Sequence, residues 1–362
     1  MGRNDLSIFA LYDYIIYEIF SQIFRLVCES NLMIPCCLFA IVGTDDNFPL
    51  VELQLDKEDN NPTAATCDAV TAALRDSGFL LVKTSLLPLE LQQTALKSAS
   101  QFLNPSRDKV VSHPSDPKIY AMLEGIHSFS YDSDTDPTIV KDLEDWYHAL
   151  RKTRDVLLHC IADGLGMDDP NFFVKLHNGN NDAVRLLKYH PGDATTGNRC
   201  KEHSDYGTLT LLLNDGIGGL EAFIDGEWKP VPYVEGCVVV NIGSLLSEWT
   251  RQELKATLHR VAGPASIGIN TSKDVLLKAA SVPRVSIAYF ADPNLSVSTT
   301  LMEKGKNSAA DDVVDDNGSS SKMSVSQYIQ WRSGGNGDGR SGVAFTSIEE
   351  SRLGFTKTKI LH

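Results

Sequence analysis

Two hydrophobic rhythms divide the chain. In Ala64 to Asp76, Leu87 to Leu103 and Thr138 to Gly166 the apolar residues recur at helical spacing, which gathers them on one side of a helix. Phe79-Leu-Leu-Val82 is instead a short unbroken apolar run of the kind that forms a buried strand, and Phe48 to Leu53 adds a strand or two before it. From residue 178 to residue 292, runs of this second kind follow one another. Gly207-Thr-Leu-Thr-Leu-Leu-Leu213, Ala256-Thr-Leu-His-Arg-Val261 and Arg284-Val-Ser-Ile-Ala-Tyr-Phe290 are examples, and Asn214-Asp-Gly-Ile-Gly-Gly219 after the first is turn chemistry. The pattern predicts a mainly β fold with flanking helices: a double-stranded β-helix (jelly roll) core behind a helical N-terminal region.

The boundaries expected from this pattern are an N-terminal extension (1–46), the helical region (47–177), the jelly roll (178–292) and a C-terminal region (293–362). In the extension, Ile8 to Val27 is largely apolar, but Asp13, Glu18, Ser21, Gln22 and Arg25 cut a polar stripe through it. Charges at that density spoil a membrane span, and Leu32 to Gly43 is too short to cross a bilayer. Acidic residues also stand where a signal peptide needs an apolar stretch. An amphipathic surface helix, a non-standard targeting segment and a mispredicted translation start remain open. Ser112 to Pro137, rich in Ser, Asp, Pro and Gly, reads as a long loop, either a cover over a binding site or a plain surface connection. Met302 to Met323 is acidic and has too little apolar surface to order itself, and Ser324 to Arg332 reads as a short helix.

Charge narrows the partners. A net charge of −14 over 362 residues disfavours phosphate backbones and anionic membranes, which need a surplus of Lys and Arg, so a small molecule is the expected partner and nucleic acid is not. The seven cysteines are odd in number and lack C-x-x-C spacing, which points to reduced thiols and a cytoplasmic location.

Against this background one constellation carries chemistry. His203 and Asp205 form an H-x-D pair, and His259 follows at long range in a strand-like run. Two imidazoles and one carboxylate on one side of a metal leave the opposite positions open, as a non-haem Fe(II) centre requires to admit an oxidant and a cosubstrate. On an extended backbone His203 and Asp205 face the same way, which places the pair at the start of the Gly207–Leu213 strand. An H-x-D triplet alone is weak among nine histidines and 47 acidic residues, and a lone His259 reads as well as a core histidine bonded to a carbonyl. Cys200, three positions before His203, reads as a buried or loop thiol and not as a fourth ligand.

The surroundings decide between these readings. From His203 onward the order H-S-D-Y-G-T-L-T-L-L, G-G-L-E-A-F, W-K-P-V, V-V-V-N-I-G-S, L-H-R-V and R-V-S-I-A-Y-F resembles the iron- and 2-oxoglutarate-dependent dioxygenase superfamily. More narrowly it is similar to the branch containing isopenicillin N synthase, gibberellin oxidases and flavonoid oxygenases. Phe48-Pro-Leu-Val-Glu-Leu53 and Ala73-Leu-Arg-Asp-Ser-Gly-Phe-Leu-Leu-Val82 resemble that branch's N-terminal region. The resemblance implies Fe(II) on His203, Asp205 and His259, with 2-oxoglutarate and molecular oxygen as cosubstrates and ascorbate as an admissible reductant. It implies that Arg284 grips the remote carboxylate of 2-oxoglutarate bidentately, with Ser286, two positions along the same strand face, adding a hydroxyl. The implied reaction hydroxylates or desaturates a small organic molecule. An iron-dependent oxidase without 2-oxoglutarate is the alternative within the fold, and a catalytically silent jelly-roll binding protein is the alternative outside catalysis.

The chain departs from the family at three points. The usual tyrosine directly before proline is displaced in Leu187-Lys-Tyr-His-Pro191, so either Tyr189 or His190 faces the cosubstrate. The interval from His259 to Arg284 is long, and 264–281 reads as an inserted loop or hairpin. Ser244 stands where an aspartate often follows N-I-G, and the sequence assigns it no role. Neither 1–46 nor the acidic stretch holds a candidate ligand. The few apolar side chains of 304–321 do not offset about 1 to 2 kcal/mol of backbone entropy per residue. A chain starting at Asp46 and lacking 304–321 is therefore expected to retain Fe(II)-dependent 2-oxoglutarate decarboxylation. A soluble, iron-loaded but inactive product would place one of these segments in the site.

Overall fold

The computed structural model describes residues 48–56, 58, 61–103, 111–112, 118–124, 135–191, 197–263, 281–298 and 324–332. Contacts divide the chain into Met1–Phe39 and Ala40–His362, and every described residue belongs to the second unit. The extension 1–46, residues 264–280 of the expected insertion and the acidic stretch 302–323 fall outside the described residues.

The helices begin where the sequence supplies caps. In α1 (Ala64–Asp76) the Thr63 hydroxyl accepts the Thr66 N–H at 3.3 Å, meeting one of the donors that a helix start leaves without a partner. In α3 (Pro137–Gly164) Asp136 accepts the Thr138 N–H at 2.8 Å, and Pro137 occupies a position where no N–H is needed. Between them lies α2 (Leu89–Phe102), and a one-turn α4 (Phe172–Lys175) follows. The hydrophobic spacing of the sequence thus marks the three longer helices to within two residues.

Among the described residues twelve strands form two sheets: β1 (Leu50–Glu52), β2 (Phe79–Lys83), β3 (Val111–Ser112), β4 (Lys118–Glu124), β5 (Ala183–Tyr189), β6 (Cys200–His203), β7 (Leu209–Asn214), β8 (Leu220–Ile224), β9 (Glu227–Pro230), β10 (Cys237–Ile242), β11 (His259–Val261) and β12 (Arg284–Ala291). The larger sheet has the order β1-β2-β10-β7-β12-β5-β4-β3, and the smaller the order β6-β11-β8-β9. This is the jelly roll that the pattern predicts. Two short helices, α5 (Ser244–Trp249) and α6 (Val325–Arg332), complete the described elements. One expectation needs correction. Within the stretch read as a loop, Lys118–Glu124 is a strand that pairs antiparallel with the whole of β5, from Lys118 opposite Tyr189 to Glu124 opposite Ala183. Ile119-Tyr-Ala-Met-Leu123 is itself a short unbroken apolar run, the strand signal of Phe79–Val82, set within flanks rich in Ser, Asp, Pro and Gly.

The central strands are apolar on both faces because both faces are covered. On β12, Val285, Ile287, Tyr289 and Ala291 join the core shared with the helices, whereas Ala288 and Phe290 turn toward the smaller sheet. Strand β7 divides likewise, with Leu209, Leu211 and Leu213 toward the helices and Leu212 inward. Polar residues at inward positions are therefore exceptions. Among the described residues no helix is long and apolar enough to cross a membrane.

One buried ionic cluster ties α3 to this sheet. Arg154 and Asp182, both at most 1% exposed, form an ion pair, and the Tyr289 hydroxyl donates to Asp182 Oδ2 at 2.6 Å. Truncating Asp182 strips Nη1 of its buried anion and leaves Arg154 only the part-exposed Asp155, which holds Nε and Nη2, and breaking a buried pair in this way costs up to about 3 to 5 kcal/mol. Asp182→Ala is accordingly expected to lower the urea midpoint of unfolding by that equivalent. A loss below about 1 kcal/mol, the range of ordinary surface pairs, would show that the cluster does not hold the helix to the sheet.

Candidate active site

The site is built where the smaller sheet meets the turn entering β7. Strands β6 and β11 pair with His203 directly opposite His259, and the two rings lie 4.3 Å apart between centroids. Asp205 completes the group, and one ligand atom from each residue lies within 4.8 Å of the others. The Nε2 atoms of His203 and His259 are both 3.7 Å from the Asp205 carboxylate. Each Nδ1 is occupied elsewhere: His203 Nδ1 is 2.8 Å from the Lys201 carbonyl, and His259 Nδ1 is 3.1 Å from the Thr257 carbonyl. A carbonyl only accepts, so Nδ1 keeps a proton in both rings and Nε2 is the nitrogen left to face the carboxylate. Burial first, and His203 second, hold His259 down to about 4, so this imidazole is neutral and able to ligate at neutral pH. His203 moves the other way, to about 9: burial opposes the shift, and the Cys200 sulfur and the Asp205 carboxylate outweigh it. A cation binding here therefore displaces a proton from His203.

The carboxylate is as closely held as the imidazoles. Asp205 Oδ2 accepts from Thr210 Oγ1 at 2.6 Å and from Asn241 Nδ2 at 2.7 Å. Its main-chain carbonyl accepts from both Ser244 N–H and Ser244 Oγ, each at 2.8 Å. The corner between β10 and α5 can come this close because it is glycine. A Cβ on Gly243 would stand 2.2 Å from the Gly207 carbonyl oxygen, well inside van der Waals contact.

A second polar group stands on the same cavity wall. Arg284 is 1% exposed, and its Nη1 donates to Ser286 Oγ at 3.0 Å while its Nε donates to the Ile217 carbonyl at 3.0 Å. The guanidinium lies over the Tyr189 ring, 5.4 Å from its centroid, and no salt bridge joins it to an acid among the described residues. His203, Asp205, His259, Arg284, Ser286 and Tyr189 all line one cavity. Farther along β12 the row continues through Ala288 to Phe290, with Arg185 of β5 laid over the Phe290 ring at 5.6 Å.

All six residues singled out in the sequence therefore meet around one space, though not always as the pattern placed them. His203 closes β6 and Asp205 lies in the turn before β7, so the pair does not begin the following strand. Tyr189 is buried in the cavity wall, whereas His190 is exposed. Cys200 also lines the cavity, but its sulfur sits 4.0 Å from His203 Nδ1, the nitrogen turned away from the other ligand atoms. Ser244, to which the sequence assigns no role, fastens the Asp205 turn. Thr210 and Asn241 escaped the sequence reading. Their signal was present as the polar members of Leu-Thr-Leu-Leu-Leu and Val-Val-Val-Asn-Ile, at inward positions where the fold otherwise places apolar side chains.

Comparison with known proteins agrees with this geometry. Residues 180–293 match the sequence model of the 2OG-Fe(II) oxygenase superfamily, and this segment is a domain of that superfamily. A proline hydroxylase, buaE, from Petromyces alliaceus is 33% identical over 171 residues, covering 44% of this chain and 50% of its own length. A 2-oxoglutarate-dependent dioxygenase, htyE, from Aspergillus rugulosus is 34% identical over 175 residues, covering 46% and 50%. The chain thus spans about half the length of the curated relatives it matches. Among solved structures, a full-length Neurospora crassa protein in complex with alpha-KG and 5-formyluracil shares the fold with a TM-score of 0.62 at 21% identity, over 79% of this chain and 96% of that one. The rice dioxygenase for auxin oxidation shares it with a TM-score of 0.58 at 19% identity, over 80% and 95%.

Groups that fix a ligand's orientation typically contribute tenfold to a hundredfold in metal affinity. Asn241→Leu removes one donor to Asp205 at nearly constant volume and is expected to weaken Fe(II) binding by about tenfold or more, read by anaerobic titration. Unchanged affinity would show that Thr210 alone orients the carboxylate.

Proposed function

We propose that the protein is an Fe(II)- and 2-oxoglutarate-dependent oxygenase that hydroxylates or desaturates a small organic molecule. The observation that carries this reading is one cavity lined both by a His-Asp-His group and by a buried arginine that forms no salt bridge among the described residues, Asp215 acting on it only at longer range. Two imidazole nitrogens and a carboxylate, with no thiolate among them, are a donor set that suits Fe(II) and leaves positions open for other ligands. His203, Asp205 and His259 would hold the iron. Arg284 and Ser286 would take the remote carboxylate of 2-oxoglutarate, because a guanidinium fork matches a carboxylate and a buried cation needs an anion. The Tyr189 ring beneath Arg284 keeps the guanidinium plane in place. When bound, the iron and 2-oxoglutarate supply oxygen activation, with decarboxylation of 2-oxoglutarate to succinate.

The chain's own residues orient the reactants and exclude water. Leu212, Val261 and Ala288 give the cavity apolar walls, which strengthen every polar contact inside it. Phe290 stands opposite Thr210, the residue that bonds Asp205, so the end marked by Phe290 and Arg185 borders the metal group, where a substrate's reacting carbon would have to lie. A relative whose name describes a proline hydroxylase and the described cysteines, none of them in a disulfide, support a small-molecule substrate and a cytoplasmic setting respectively.

His203→Ala, Asp205→Ala and His259→Ala are each expected to abolish turnover and to lose stoichiometric iron on desalting, with the fold retained. Arg284→Leu is expected to raise the 2-oxoglutarate requirement by roughly 30-fold or more while leaving Fe(II) binding nearly intact. An unchanged requirement would sink the cosubstrate assignment and favour an oxidase that uses iron alone.

A further inference from the structure

The turn between β7 and β8 is organised by a half-buried carboxylate, that of Asp215. Asp215 follows the last residue of β7, and its N–H donates to the Val285 carbonyl at 3.2 Å, adding one rung to the β7–β12 ladder. The return bond comes from the side chain: Val285 N–H donates to Asp215 Oδ2 at 2.6 Å. The other oxygen, Oδ1, accepts the Ile217 N–H at 3.1 Å. One carboxylate therefore holds two main-chain segments at once: the residue after Arg284, and the residue whose carbonyl accepts Arg284 Nε at 3.0 Å. Two positions of this turn call for glycine, since Gly216 and Gly219 both have φ in the left-handed region, at +77° and +115°.

From this arrangement we propose that Asp215 is a positioning residue for the cosubstrate's remote carboxylate. It aims Arg284 by fixing the Ile217 carbonyl and the Val285 amide on either side of it, without itself touching the cosubstrate. Nε is spent on Ile217 and Nη1 on Ser286, so the rotation of the guanidinium about its stem is set and its remaining edge is directed to the cavity. Asparagine at position 215 keeps the shape but has one acceptor oxygen for two amides, so one of the two tethers must open. This inference rests on the proposal that Arg284 receives 2-oxoglutarate, and its test separates the two.

The measurement is anaerobic calorimetric titration of the Fe(II)-loaded protein with 2-oxoglutarate and with 2-oxopentanoate, which has the same chelating end and no remote carboxylate. Asp215→Asn is expected to weaken 2-oxoglutarate by about tenfold, the scale of one charge-assisted hydrogen bond, and to leave 2-oxopentanoate within about twofold. In an Arg284→Leu background the same substitution is expected to change 2-oxoglutarate affinity by less than about twofold, because the effect passes through the guanidinium. Equal losses for both oxo acids, or a full loss that persists without Arg284, would overturn the assignment. So would wild-type affinity in Asp215→Asn, provided Arg284→Leu itself weakens binding. If Arg284→Leu leaves 2-oxoglutarate affinity unchanged, the cosubstrate site itself is misplaced and the proposed function falls first. Asp215→Ser, which also offers only one oxygen, serves as the second variant. Collapse of the thermal transition in both would show that the carboxylate serves the ladder and not Arg284, which equally overturns the inference.

Discussion

The constraint on which the rest of this structure depends is that a carboxylate, Asp205, is buried beside two imidazoles. A charge in such a place must be met by hydrogen-bond donors or a cation. The fold supplies Thr210 and Asn241 to one oxygen and Ser244 to the main-chain carbonyl behind it. Those contacts come from β7, β10 and the start of α5, so the position of the acid is set by the larger sheet, whereas both histidines belong to the smaller one. The donor set exists only where the two sheets face each other. Neither sheet alone builds it.

Strand β12 shows how a strict alternation serves two requirements at once. Its outward residues, Val285, Ile287, Tyr289 and Ala291, are covered by the helical layer, and Tyr289 reaches the Arg154–Asp182 cluster there. Its inward residues, Arg284, Ser286, Ala288 and Phe290, form the cavity wall. A slip of one residue would exchange the two sets, placing a guanidinium in the aliphatic core and a valine where an anion is to be received. The strand is therefore pinned in register from both sides, by the Asp182 bond on one face and by the Asp215 bonds at its start.

Much of this was legible in the sequence, and the exceptions have physical causes. The long helices were readable because their apolar faces are one-sided, and β2, β7 and β12 because strands covered on both faces are apolar throughout. His203, Asp205, His259, Arg284 and Ser286 stood out through ordered motifs. Strand β4 was missed because its five apolar residues, Ile119 to Leu123, lie within a long stretch whose Ser, Asp, Pro and Gly content reads as a loop. Thr210 and Asn241 were missed for a different reason. A threonine or asparagine within an apolar strand has no chemical signature of its own, and only the register that places Asn241 opposite Thr210 reveals that both reach the same oxygen.

The two polar poles of the cavity are held by different means, and the difference bears on how each tolerates change. Around Asp205 the donors are side chains of separate strands, so each can be removed singly and the remaining contacts still hold the acid near the imidazoles. Around Arg284 the acceptors are the Ile217 carbonyl and the Ser286 hydroxyl, and the former is fixed only through the Asp215 turn. A main-chain acceptor cannot be replaced by a neighbouring side chain without moving the backbone. The metal pole is thus held by side chains of several strands, whereas the arginine pole depends on a single turn, held by the Asp215 carboxylate, by Asn214 Oδ1 accepting the Gly216 N–H at 3.0 Å, by the Ala262 N–H donating to the Gly219 carbonyl at 2.7 Å, and by two glycines with positive φ.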